Sequence, residues 1–155
     1  MDRQELVQVI IEWDANAVST RENTDRPAVQ VLSARLPDLM RYARSNSALA
    51  FDVLLDHTAI DWPDQGRFEL VYQLYSTVHG HYLMVSTLVN RDNPIVATVS
   101  DIWPVAHWQE REVFDMFGIL YDNHPDLRRV FLDDEWKGFP LRKDYQDPDM
   151  LELPK

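Results

Sequence analysis

The chain has 155 residues, of which 45% are hydrophobic and 26% are charged, the composition of one ordinary globular domain. Acidic residues outnumber basic residues by 26 to 15, and the net charge of −11 argues against free nucleic acid as a partner. The absence of cysteine excludes disulfides, thiolate nucleophiles, and zinc or iron–sulfur centres held by cysteine.

The first third of the chain predicts two helices and two strands. Apolar residues recur at helical spacing over Leu6–Trp13, which predicts a short amphipathic helix. Residues 17–22 and 28–33 predict two strands that are joined by a polar turn. A second helical stripe covers Leu36–Ala43, with Pro37 in its first turn, where proline is tolerated.

The middle of the chain predicts an antiparallel meander. Phe51, Val53 and Leu55 occupy alternate positions, which places them on one face of a strand that continues to Trp62. Two further runs of alternating residues, 68–75 and 82–89, follow after short turns. Since these connections are too short for parallel crossovers, we expect neighbouring strands to be antiparallel.

The last third begins with a short extended segment, 95–99, and then a helix over Trp103–Phe117, with Gly118 as its left-handed cap. From Ile119 onward prolines and charges crowd together. We name residues 119–155 the C-terminal arm. Its large apolar side chains predict that it is ordered against another surface; they are Phe131, Trp136, Phe139, Leu141, Tyr145, Leu151 and Leu153.

Together these elements predict an α+β fold. We expect an antiparallel or mixed sheet with helices packed on one face, followed by an extended irregular C-terminal arm. The corresponding division of the chain is a core domain over residues 1–118 and the C-terminal arm over residues 119–155, which packs on the core and on partner subunits.

The densest group of residues that could carry chemistry lies between Glu110 and Gly118. On a helix, Glu112 and Asp115 are neighbours at i, i+3, and Arg111 pairs with Asp115 at i, i+4. Two adjacent carboxylates could serve as acid and base in a free-standing hydrolase, whereas the more ordinary interpretation is an ion-paired helix face. Basic residues also concentrate here and beyond, where they pair within the arm or with a partner; they are Arg111, Arg128, Arg129, Lys137, Arg142 and Lys143.

The five histidines show no recognised metal-ligand spacing. His79 and His81 flank a glycine and are interpreted as turn residues, and His124 as a loop residue that bonds to the backbone. The four glycines form neither a phosphate-binding loop nor a dinucleotide motif. No apolar run approaches the roughly 20 residues that cross a bilayer, so we expect a soluble domain with no direct membrane span.

Three segments share a longer pattern. They are Glu110-Arg111-Glu112-x-x-Asp115-Met116-Phe117-Gly118-Ile119, then His124-Pro125-Asp126-Leu127-Arg128-Arg129, then Gly138-Phe139-Pro140-Leu141-Arg142-Lys143-Asp144-Tyr145. With Ile102-Trp103-Pro104-x-Ala106-x-Trp108 upstream, this pattern closely resembles the signature of the 30 kDa subunit of respiratory complex I, the NADH-quinone oxidoreductase. Two positions depart from it: Phe139 stands where many members have histidine, and Gln146 where many have proline.

The resemblance implies a non-catalytic scaffold subunit of the hydrophilic arm of a proton-translocating NADH–quinone oxidoreductase. It implies no catalytic, cofactor-binding or metal-binding residue in this chain, with NADH, FMN, iron–sulfur clusters and quinone bound by other subunits. The implied partners are the quinone-site (49 kDa-type) subunit and the cluster-bearing subunits, and the implied location is the cytoplasmic side of the inner membrane.

The signature residues are then the expected subunit interface. They are Glu110, Arg111, Glu112, Asp115, Phe117, Gly118, His124, Pro125, Arg128, Arg129, Pro140, Leu141, Arg142, Lys143, Asp144 and Tyr145. We expect Arg128→Ala or Arg142→Ala to weaken assembly. Two alternatives stay open: a hydrolase that uses Glu112 and Asp115, alone or with a metal, and the equivalent subunit of a ferredoxin-, F420H2- or hydrogenase-type relative.

Overall fold

The computed structural model describes residues 1–147 and residue 149, and this part of the chain contains three α-helices and seven β-strands. The helices are α1 (Arg3–Trp13), α2 (Leu36–Ser45) and α3 (Ala106–Phe117). The strands are β1 (Val18–Thr20), β2 (Ala28–Val31), β3 (Val53–Trp62), β4 (Arg67–Tyr75), β5 (Tyr82–Asn90), β6 (Ile95–Ala97) and β7 (Leu120–Asp122). Within the described residues, no helix combines the length and apolar character that a membrane crossing requires.

Five strands form one mixed sheet in the order β1-β2-β5-β4-β3. The predicted meander is confirmed, because β3, β4 and β5 pair antiparallel in chain order. Strand β2 lies beside β5 in parallel and carries β1 on its other side, antiparallel. The sheet is therefore mixed. The remaining strands, β6 and β7, form a separate parallel pair.

The core lies on one face of the five-stranded sheet. Alternate residues of β4, from Phe68 to Leu74, are fully buried and belong to one apolar cluster. All three helices contribute to that cluster, for example with Ile10 from α1, Leu39 from α2 and Val113 from α3. The predicted packing of helices on one face is thus confirmed.

One predicted face assignment in β3 is wrong. Alternation predicts Leu55 on the same face as Phe51 and Val53, but Leu55 is 45% exposed, and Leu54 is buried instead. The pairing with β4 shifts between Leu54 and Asp56, which marks a β-bulge. A bulge adds one residue to one strand, so the alternation of faces changes phase at that point.

Helix α3 begins three residues later than predicted, at Ala106 rather than Trp103. Pro104 disfavours helical backbone at the preceding residue, so residues 101–105 form turns. At the other end Gly118 is left-handed, with φ of 74°, and its N–H donates to the carbonyl of Phe114. The predicted cap is confirmed.

The C-terminal arm is regular at its start, because Leu120–Asp122 form β7, which the sequence pattern does not predict. This strand pairs with β6, and the side chains of Ile119 and Tyr121 are buried in the core cluster. A three-residue strand is too short to show an alternating pattern, and periodicity therefore cannot reveal it. The irregular part of the arm follows Asp122.

Candidate functional site

The signature residues come together because the C-terminal arm folds back along α3. Glu110, Arg111, Glu112, Asp115 and Phe117 lie on α3 itself, and Gly118 caps it. The arm then makes three successive sets of contacts: with the middle and end of α3, with the carbonyl groups at its last turn, and with the far end of β3. Each set is built around a buried or half-buried charged side chain.

Asp115 is the centre of the first set. Its fully buried carboxylate accepts a hydrogen bond from Arg129 Nη1 at 2.8 Å through Oδ1. Oδ2 accepts three backbone N–H groups, from Val130 (3.2 Å), Phe131 (2.8 Å) and Leu132 (3.1 Å). Burial alone would raise the pKa of Asp115, but these hydrogen bonds outweigh it and hold the pKa below its ordinary value.

Arg129 links the following segment of the arm to Asp115. Its Nη1 also donates to the backbone carbonyl of Asp115 (3.1 Å), and its Nη2 donates to the carbonyls of Trp136 (3.1 Å) and Gly138 (3.0 Å). The guanidinium lies over the Phe139 ring, 5.1 Å from its centre. Both ends of the segment 130–138 are therefore held by one ion pair.

Arg111 does not pair with Asp115, so that prediction is wrong. Asp115 already accepts four hydrogen bonds, and Arg111 turns instead to the arm, where it donates to the carbonyls of Arg128 (3.1 Å) and Arg129 (3.3 Å). Its guanidinium also stacks 4.8 Å from the centre of the Trp108 ring. Arg111 thus holds the arm's backbone, and its nearest carboxylate, Asp126, is 4.0 Å away.

Glu110 is fully buried without a cation in hydrogen-bonding range among the described residues. It accepts from the Val99 N–H (2.7 Å) and from the Thr98 hydroxyl (2.5 Å). Burial dominates over these bonds and raises the pKa of Glu110 to about 7. The Glu110 side chain anchors the loop between β6 and α3. Helical spacing does not indicate these hydrogen-bond partners, because they lie outside the helix.

His124 bonds to the backbone, as predicted. Its Nε2 lies 3.0 Å from the His107 carbonyl, and Nδ1 accepts from the Asp126 N–H at 3.0 Å, an arrangement that fits the neutral ring with the proton on Nε2. Burial lowers the pKa of His124, which agrees with that form. Pro125, the next residue, is exposed.

The second set of contacts lies at the end of α3. Arg142 Nε donates to the Phe117 carbonyl (2.6 Å), and the Leu141 N–H donates to the Met116 carbonyl (3.1 Å). The Arg142 guanidinium lies between two rings, 5.2 Å from the centre of Phe68 and 4.9 Å from that of Phe139. The aromatic ring at position 139 thus packs where a histidine stands in many signatures.

The third set joins the arm to β3 through Asp61, a residue that the sequence patterns do not single out. The buried Asp61 carboxylate binds Arg91 in bidentate fashion, at 2.8 and 3.1 Å, and accepts the Lys143 N–H at 2.9 Å. Arg91 also donates to Asp144 (2.7 Å). The one feature of the sequence that could have indicated Asp61 is a carboxylate within an otherwise apolar strand. Because the bulge changes the alternation of faces, the pattern did not show that Asp61 is buried.

The remaining signature side chains are more exposed. Arg128 pairs with Asp126 at the surface, Tyr145 donates to Asp147 at 3.0 Å, and Pro140 is half-buried. Glu112 is exposed on α3. Because Asp115 is fully committed to the arm, Glu112 and Asp115 do not form an acid–base pair open to a substrate.

Two further histidines make ordinary backbone contacts. His79 and His81 bond to the carbonyls of Ser47 and Leu49, each at 2.8 Å, and lie at a turn as predicted. Among the described residues, no three histidine, aspartate or glutamate side chains converge closely enough to hold a metal ion. Several large apolar side chains of the arm face outward: Phe131 is 66% exposed, Leu141 56% and Trp136 39%.

Comparison with known sequences gives a consistent result. The family described as "Respiratory-chain NADH dehydrogenase, 30 Kd subunit" matches residues 29–149. The C subunit of NADH-quinone oxidoreductase from Ruegeria pomeroyi is 42% identical over 118 residues, which are 76% of this chain and 58% of the relative. The corresponding protein of Chlorobium phaeobacteroides is 36% identical over 141 residues, covering 89% of this chain and 85% of the relative. The chain therefore spans under two-thirds of the length of some relatives.

Two solved structures share the fold. A chain from the membrane-bound sulfane sulfur reductase, an archaeal respiratory membrane complex, superposes with a TM-score of 0.78 and 30% identity, covering 92% of this chain and 85% of that one. The trypsin-resistant fragment of Nqo5 superposes with a TM-score of 0.66 and 29% identity, covering 81% and 100%.

Proposed function

The chain belongs to the family of the 30 kDa subunit of respiratory-chain NADH dehydrogenase, and on that premise we propose that it is a non-catalytic scaffold subunit of a complex I-type NADH–quinone oxidoreductase. In this role it supports electron transfer to quinone through neighbouring subunits. NADH, FMN, the iron–sulfur clusters and quinone are bound by those neighbours, and the complex as a whole translocates protons.

The observation that carries this proposal is a contrast within the C-terminal arm between arginines that bond to this chain and apolar side chains that are exposed. Its buried or half-buried arginines, Arg129 and Arg142, bind groups of this same chain. Of its large apolar side chains that the structure describes, Phe139 and Tyr145 are half-buried, whereas Phe131, Trp136 and Leu141 are left at the surface; Leu151 and Leu153 lie outside the described residues. Ordered, exposed aromatic and aliphatic side chains beside arginines are typical of subunit interfaces, so the arm is built to be rigid and to be covered.

We assign the covering partners to the quinone-site (49 kDa-type) subunit and to the cluster-bearing subunits of the same complex. The chain then lies in the hydrophilic arm of that complex, at the cytoplasmic side of the inner membrane, and is attached through its neighbours. All the signature residues, from Glu110 to Tyr145, either form this interface or hold it in shape.

The free-standing hydrolase is disfavoured by the geometry of Asp115. A general acid or base must reach its substrate, whereas this carboxylate is buried under Arg129 and three backbone N–H groups. A low pKa also makes Asp115 a poor base, since efficient bases have pKa values near the working pH.

A second candidate is the equivalent subunit of a related complex with a different electron donor or acceptor. The similarity to a chain of the sulfane sulfur reductase complex supports this second candidate, because that chain shares the fold at 30% identity. The fold of this subunit supports either complex equally well. Its partners, and not its own residues, distinguish the two.

The test is purification of the tagged chain from membranes of its producing organism. We expect flavin- and cluster-bearing subunits, and NADH–quinone reductase activity, to co-purify with it, and the separately produced chain to carry no cofactor. Co-purification with a ferredoxin- or sulfur-linked complex would support the second candidate instead. One equivalent of bound metal or hydrolase activity in the separate chain would contradict both.

A further inference from the structure

Residues 130–137 form the most outward-facing apolar part of the described arm. Phe131 is 66% exposed, and Trp136 and Val130 are 39% and 36% exposed. Isolated exposed apolar residues are common, but here three of them, two of them aromatic, fall within seven residues of one loop. We name residues 130–137 the projecting loop.

The projecting loop is held in one conformation by α3. The N–H groups of Val130, Phe131 and Leu132 all donate to Asp115 Oδ2. At the other end, Arg129 Nη2 donates to the Trp136 carbonyl, and the Trp136 N–H closes a turn onto the Asp133 carbonyl at 2.9 Å. Because the loop is fixed before any partner binds, its exposed side chains lose little conformational freedom on association.

The projecting loop is predominantly acidic. Asp133, Asp134 and Glu135 are consecutive and exposed, and none of them forms a salt bridge with any residue that the structure describes. Lys137 is the single cation in the loop. Three other acidic side chains at the arm are instead paired with arginines of this chain: Asp115 with Arg129, Asp126 with Arg128, and Asp144 with Arg91.

We propose that the projecting loop inserts into a pocket of a neighbouring subunit that has an apolar floor and a rim of lysine or arginine. Phe131 and Trp136 supply the apolar contact, and the three carboxylates meet the basic rim. Complementary charge at a rim sets partner choice and the rate of association, while a buried aromatic anchor supplies most of the affinity. This inference rests on the proposed function, since it requires a neighbouring subunit.

The experiment measures retention of the tagged chain in the purified complex over a range of salt concentrations. The test variant is Asp133→Asn, Asp134→Asn, Glu135→Gln, and the matched control is Glu22→Gln, Asp25→Asn, Asp64→Asn, which neutralises three exposed carboxylates outside the arm. We expect the test variant to weaken retention about tenfold at low salt and to lose most of the salt dependence. The control variant should behave as the wild type.

A second measurement keeps the proposal falsifiable if a variant is poorly produced. A photoreactive phenylalanine analogue is placed at Phe131, and at Val78, which is 71% exposed in a distant turn, as the control. Within the intact complex, we expect Phe131 to crosslink to a neighbouring peptide rich in lysine or arginine and apolar residues, and Val78 not to do so.

Equal retention of the two triple variants, or a crosslink from Phe131 to an acidic peptide, would overturn the inference while leaving the proposed function intact. If the wild-type chain co-purified with no other subunit, the proposed function would fail and this inference with it. The two failures are therefore distinguishable.

Discussion

Asp115 on α3 accepts a hydrogen bond of 2.8 Å from Arg129 on the C-terminal arm, and both side chains are almost entirely buried. Apart from a second bond from Arg129 to the backbone carbonyl of Asp115, the other bonds of this pair go to the arm: three N–H groups donate to the carboxylate, and two carbonyls accept from the guanidinium. One ion pair thus sets the path of an otherwise irregular segment.

Replacement of Asp115 should detach that segment. Asp115→Ala leaves Arg129 without its carboxylate and three N–H groups without an acceptor, so we expect the free energy of unfolding to fall by about 3–5 kcal/mol. Limited proteolysis should also cut the variant faster between residues 128 and 138. Glu112 is an exposed neighbour on the same helix, and Glu112→Gln should change the free energy of unfolding by less than about 0.5 kcal/mol. Denaturant unfolding measures both variants. Equal stability of the two variants would contradict the role given to Asp115.

Gly118 is expected to be far more sensitive to substitution than Gly66. Both have a left-handed backbone, with φ of 74° and 64°, which costs an alanine about 1–2 kcal/mol. A Cβ at Gly118 would also lie 2.6 Å from Phe139 and 2.8 Å from Arg142, whereas nothing lies within 4 Å at Gly66. Thermal unfolding should show a loss of about 3 kcal/mol or more for Gly118→Ala, and only the backbone cost for Gly66→Ala.

Ionisation of Glu110 should make the fold less stable as the pH rises. Its pKa in the fold is about 7, above the ordinary 4.5, so its favourable contribution is complete below pH 4.5 and is lost as the pH rises through 7. Glu110→Gln removes the ionisation, and the variant should gain up to about 3 kcal/mol relative to the wild type over that range. Denaturant unfolding at about pH 5 and pH 8 measures this gain.

The difference between variant and wild type is the quantity to follow, because His57 also titrates. Burial lowers the pKa of His57 to about 4, so in both proteins stability falls as the pH drops below 6.5. That contribution is opposite in direction and cancels in the difference. A difference that stays constant between the two pH values would show that Glu110 does not ionise in this range.

Arg142 and Arg128 should respond differently to replacement by alanine, although the family signature alone predicts that both weaken assembly. Arg142 bonds to the Phe117 carbonyl and lies between two rings, so its loss should cost about 2 kcal/mol. Arg128 is exposed, and Asp126 is its single ion-pair partner among the described residues, so its loss should cost less than about 0.5 kcal/mol. Unfolding of the separate chains measures both, and a larger effect at Arg128 would refute this assignment.

Much of the fold follows from periodicity, and the exceptions have local causes. The meander and the Gly118 cap rest on long alternating runs and on a glycine that closes a helical pattern, which are strong signals. The bulge at Leu55 reverses the faces of β3 and hides Asp61, and β7 is too short to show a period. Local spacing cannot supply either feature.

The signature predicted many of the residues that the structure brings together, but neither Asp61 and Arg91 nor the contacts among them. Resemblance to a known signature identified Asp115, Arg129 and Arg142. Helical spacing then paired Arg111 with Asp115, whereas the structure gives Asp115 to Arg129, fourteen positions away in the chain. Long-range bonds between a helix and an irregular segment have no periodicity, so only the three-dimensional structure reveals them.

The central claim, that the chain holds the complex together without taking part in its chemistry, is tested most directly by Phe131→Ser combined with Trp136→Ser. The measurement compares the yield of intact complex with the NADH–quinone reductase turnover of each complex that does assemble, and Val78→Ser is the control. We expect a reduced yield and unchanged turnover. An unchanged yield with reduced turnover would contradict the claim, because it would place these side chains in the reaction itself.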